Sequence, residues 1–94
     1  MNEDEFRAEA KQKIDDVSLK IKELKAKRKS VKVVAKSKYE DILEDLEAKK
    51  REMEKKYSEL EDESDENFEE AKKAFSKASN SFDEGLSEIK SLFG

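Results

Sequence analysis

Between residues 64 and 93, bulky apolar residues return at every seventh position, at Phe68, Phe75, Phe82 and Ile89. Three residues after each stands a second member, Ala71, Ala78, Gly85 and Leu92. This 3-4 spacing is one stripe of an amphipathic helix and predicts helix over about 65–92. Rings and branched chains in such a row need another helix to lie against. Upstream, Phe6, Ala10, Ile14, Val17, Ile21 and Leu24 recur at fours and threes, and Tyr39, Leu43, Leu46, Lys50, Met53, Tyr57 and Leu60 continue a stripe in a different frame. Both spacings are helical and neither is that of a strand.

The frame breaks twice. Between Leu60 and Phe68 lies the acidic run Glu61, Asp62, Glu63, Ser64, Asp65, Glu66, which suits the start of a helix through the dipole, with Ser64 or Asp65 as cap. A short turn near 62–64 is predicted there, making antiparallel neighbours. Between Leu24 and Tyr39 the separation is fifteen residues, one more than two heptads. Such a slip is either absorbed in a continuous helix or marks a turn. Lys and Arg crowding a helix end, and Ser37 to Glu40 as a capping box, favour a turn near 30–37. The stretch KAKRKSVKVVAKSKYED has no Gly, Pro or Asn, which favours one helix from about 3 to 61, opened by Asn2 as cap with Glu3, Asp4 and Glu5 behind it.

The favoured fold is therefore an all-α antiparallel helical hairpin, or coiled coil, with a long helix about 3–61 and a second about 65–92; a three-helix bundle is the alternative. At 1.5 Å per residue the long helix would measure about 88 Å and the last about 42 Å, leaving the first thirty residues uncovered. Phe6, Ile14, Val17, Ile21 and Leu24 would then form a self-association stripe, and the expected state is a homodimer about 90 Å long. In the three-helix alternative, residues 3–29 fold against 34–61 and the cations face Glu40, Asp41, Glu44, Asp45 and Glu47. In either arrangement Phe68, Ala71, Phe75, Ala78, Phe82, Gly85, Ile89 and Leu92 pack against Leu43, Leu46, Met53, Tyr57 and Leu60.

Composition narrows the class. Of 94 residues, 34% are hydrophobic and 49% charged, too polar for a thick globular core, and the chain has two Gly and no Pro. A single elongated helical domain spanning 1–94 fits. The net charge of −4 hides strong segregation: residues 1–19 sum to −3, 20–38 to +8, 39–70 to −10 and 71–94 to +1. No 18-residue apolar run exists and the amino terminus is acidic, so a soluble cytoplasmic protein is expected.

With no His and no Cys, the usual general base, imidazole ligand and thiolate are absent, and no Ser has a partner to activate it. No enzyme activity, cofactor, metal or small-molecule substrate is expected. The acidic run 62–66 lacks the Gly and ligand spacing of a calcium loop. Two features admit a functional reading beside the structural one. Lys25, Lys27, Arg28, Lys29, Lys32 and Lys36 could hold an anionic surface, nucleic acid or membrane, or could pair with carboxylates of the protein itself. The last helix, with Leu86 and Phe93 added to its stripe, could enter a lipid interface or form a helix-on-helix core. A non-enzymatic coiled-coil interaction or scaffold protein with an unknown protein partner is expected, the alternative being a reversible binder of anionic surfaces.

Four segments, KIKELKAK at 20–27, AKSKYED at 35–41, EKKYSELEDES at 54–64 and NFEEAKKAF at 67–75, follow one another in an order in which the chain resembles a group of small bacterial coiled-coil stress-response proteins. The resemblance runs nearly the full length. It departs at Phe68, where members often have Trp, and at Asp65, where Gly follows the capping Ser. It implies a bacterial, cytoplasmic, stress-related role and carries over no catalytic residue.

Overall fold

Asn2 opens the first helix: its side-chain oxygen accepts from the Glu5 N–H at 2.8 Å, and Glu3, Asp4 and Glu5 sit in the first turn where the helix dipole favours them. The computed structural model describes residues 2–62 and 65–92. Helix α1 spans Glu3–Ala26, α2 Lys36–Asp62 and α3 Asp65–Lys90, and no strand occurs among the described residues. Of the expected turn near 62–64, with Ser64 or Asp65 as cap, Asp62 ends α2 and Asp65 begins α3, while residues 63 and 64 lie outside that description, as does Phe93.

The fold is all-α, and of the two arrangements the sequence left open the three-helix one is adopted. A continuous helix from 3 to 61 does not form. After Ala26 the chain tightens into a 3-10 turn at Lys27–Ser30, takes two extended residues, Val31 (ψ 137°) and Lys32 (ψ 142°), and makes a second 3-10 turn at Val33–Ala35 before α2. No described residue has positive φ. The reversal therefore uses conformations open to any L-residue, which is why the lack of Gly and Asn is no obstacle. What fixes it is side-chain contact. Val31 is buried in the core, and the Tyr39 hydroxyl donates to the Leu24 carbonyl at the end of α1. The expected capping box is also absent, because Ser37 is already the second residue of α2 and Glu40 pairs with Arg28.

The three helices run up, down and up in a body of 49 × 17 × 17 Å, with α2 packing on both neighbours, most extensively on α3. One contiguous core takes Phe68, Ala71, Phe75, Ala78, Phe82 and Ile89 from α3 and Tyr39, Ile42, Leu43, Leu46, Met53 and Leu60 from α2. From α1 it takes Ala10, Val17, Ile21 and Leu24, with Phe6, Ile14, Tyr57 and Leu92 half-buried against it. The α1 stripe expected to await a second chain is thus covered within one. Phe6 meets both Phe68 and Phe75 edge-on, each ring centroid 6.1 Å away, in the arrangement aromatic quadrupoles prefer. The small ladder of α3 serves close approach. A Cβ placed on Gly85 would lie 2.7 Å from the Leu46 Cδ2, so the missing side chain is what admits Leu46.

Candidate functional site

The end of the bundle at the α1–α2 turn is organised by four fixed contacts. Val31 plugs the core, Tyr39 reaches the Leu24 carbonyl, Arg28 pairs with Glu40 at 2.6 Å, and Lys25 pairs with Glu47 at 3.0 Å. Burial raises the Tyr39 phenol above its ordinary pKa, with the Arg28 guanidinium lowering it and Glu40 raising it further. The ring is fully enclosed, so its only polar atom must be satisfied inside, and the open last turn of α1 supplies the acceptor.

Anchoring Val31 inward forces its neighbours outward. Val33 and Val34 are 84% and 93% exposed, the most exposed large apolar side chains of the described chain. Around them Lys27, Lys29, Lys32, Lys36 and Lys38 are all exposed, and none forms an ion pair among the described residues. A groove of ≈ 550 Å³ beside the turn is lined by Lys20, Glu23, Leu24, Lys27, Ser30, Leu86 and Lys90, which brings the last turn of α3 and its lysine to the same end.

The six cations singled out from sequence thus divide. Lys25 and Arg28 are engaged by carboxylates of α2, as the three-helix arrangement anticipates, whereas Lys27, Lys29, Lys32 and Lys36 face solvent. Sequence reasoning missed Val33 and Val34. Their signal was present, since both are apolar residues outside either heptad frame inside a lysine-rich band. The α3 stripe, by contrast, lies against α1 and α2 and is not available to lipid.

The opposite end carries a matching contact. Arg7, near the start of α1, donates from Nε to the Leu60 carbonyl in the last turn of α2 at 2.9 Å, lies 5.0 Å from the Phe68 ring centroid, and pairs with Glu3 and Asp4. Each helix of the α1–α2 pair therefore has a late carbonyl met by a side chain from the first turns of the other. A third cross-link, Lys13 to Asp83 at 2.7 Å, joins α1 to α3. Among the described residues no polar or charged side chain is buried apart from the Tyr39 phenol, no group of carboxylates gathers as a metal site, and no helix is long and apolar enough to cross a membrane.

Compared with family models, with curated proteins and with solved structures, the chain matches none. The stress-response resemblance rests on its four segments alone.

Proposed function

We propose that the protein is a non-enzymatic helical interaction module whose working end is the basic α1–α2 turn, used for reversible contact with anionic surfaces. The observation that carries this reading is the pair Val33 and Val34, left in water among five lysines that form no ion pair with the described residues, while the helical stripes are packed into the core. Cations already engaged by carboxylates have little to offer a partner; these five have their charge available. The absence of His and Cys from the chain supports a binding role over catalysis. A stress-related, bacterial and cytoplasmic setting is the role the segment resemblance suggests.

Retention on immobilised heparin, a generic polyanion, at low and high salt tests this reading. The protein should bind at low salt in spite of its net negative charge and elute steeply as salt rises. The triple substitution Lys27→Gln, Lys29→Gln, Lys32→Gln should abolish retention with the thermal midpoint unchanged. Passage of the unaltered protein at low salt would refute the reading.

A further inference from the structure

Resting on that reading, we infer that the surface this turn meets is an anionic lipid bilayer, and that Val33 and Val34 enter its headgroup region while the surrounding lysines hold lipid phosphates. Two features of the turn separate this occupant from a nucleic acid. Apolar side chains 84% and 93% exposed have no use against a phosphate backbone, whereas a membrane interface takes them out of water. Aromatic stacking, the usual means of gripping unpaired bases, is missing here, because the nearby Tyr39 ring is wholly enclosed and its hydroxyl is engaged at Leu24.

Shape agrees. The valines sit exposed in the turn at one end of a body 49 Å long and 17 Å across, a placement suited to contact with a broad surface. The turn is already held by Val31, by Tyr39 and by the Arg28–Glu40 pair, so insertion needs no ordering of the backbone. Charge favours contact through this end. Residues 20–38 carry +8 in a chain of net charge −4, so this band is the part of the molecule that an anionic surface attracts.

Co-sedimentation with vesicles of mixed phosphatidylglycerol and phosphatidylcholine, with phosphatidylcholine vesicles and a DNA duplex as parallel arms, tests the inference. The unaltered protein should pellet with the anionic vesicles and not with phosphatidylcholine alone. Each Lys→Gln change at Lys29 or Lys32 should weaken binding about fivefold. Val33→Ser with Val34→Ser should weaken it about tenfold or more, with circular dichroism and thermal midpoint unaltered because neither side chain supports the core. The chain has no Trp, so Val34→Trp gives a single reporter whose emission should shift to the blue on anionic vesicles. Full pelleting of the double serine variant, or an unshifted Trp emission, overturns insertion while leaving electrostatic docking in place. Binding to DNA without binding to vesicles overturns the lipid partner alone. Failure to bind any of these polyanions removes the interaction reading as well.

Discussion

Tyr39 shows how much a single side chain contributes to the shape of this chain. Its ring belongs to the core and its hydroxyl closes the end of α1, so Tyr39→Phe keeps the packing and leaves the Leu24 carbonyl without its partner. A loss of about 1–3 kcal/mol in urea unfolding is expected. The raised phenol pKa adds a pH signature. The folded state holds this proton more tightly than the unfolded chain, so the contribution is complete below the ordinary value of 10.0 and is lost as pH climbs through the raised folded value. The unaltered protein should lose stability above about pH 10 more steeply than Tyr39→Phe, the difference between the two pH profiles being the Tyr39 contribution. Gly85 is the second decisive position. Mid-helix Gly→Ala is worth about 1 kcal/mol where space allows, but here the new methyl would meet Leu46 at 2.7 Å. Gly85→Ala should be neutral or destabilising alone and stabilising in a Leu46→Ala background. Additive effects of the two changes would show that α2 and α3 are not in contact at that point.

At the scale of elements, the α3 stripe and its partners on α2 were legible because heptad spacing reports burial directly: Phe68, Phe75, Phe82 and Ile89 all lie in the core with Leu43, Leu46, Met53 and Leu60. The break between α1 and α2 was not. Sequence signals for turns are signals for unusual backbone, and Val31 and Lys32 turn the chain with ordinary extended angles. The contacts that hold the break join residues twelve or more apart, Arg28 with Glu40 and Tyr39 with Leu24, and depend on how two helices register, which periodicity along one chain does not encode. The candidate site was half legible. Its lysines stood out, but which of them carboxylates would engage required the fold, and so did the division of labour among the three valines. That division is testable. Val31→Ser removes a buried side chain and should cost about 1.5–3 kcal/mol, whereas Val33→Ser should leave the unfolding midpoint within about 0.5 kcal/mol of the original. Equal effects at the two positions would mean that the turn is not anchored as described.

For the whole molecule, covering the α1 stripe inside one chain removes the reason for a second. Light scattering of the native protein at micromolar concentration should give the monomer mass of 10.9 kDa, and a stable species of twice that mass would restore pairing between chains. Yet nothing steric locks the α1–α2 turn shut. Val31 and Lys32 leave the helix mainly through ψ, and a swing of about 180° at each returns them to helical values. That swing would fuse α1 with α2 and lay α1 on the α2–α3 pair of another copy, remaking the same contacts across two chains. The first helix is in this sense an exchangeable arm. Refolding at high concentration should trap an interlocked pair of chains, slow to revert on dilution. Proline at position 32 should prevent it. The Lys32 φ of −58° is one proline holds, and Val31 before it already has the extended backbone that proline favours in its neighbour. Lys32→Pro should therefore leave the closed monomer intact or up to about 1 kcal/mol more stable, and forbid the fused helix that exchange requires.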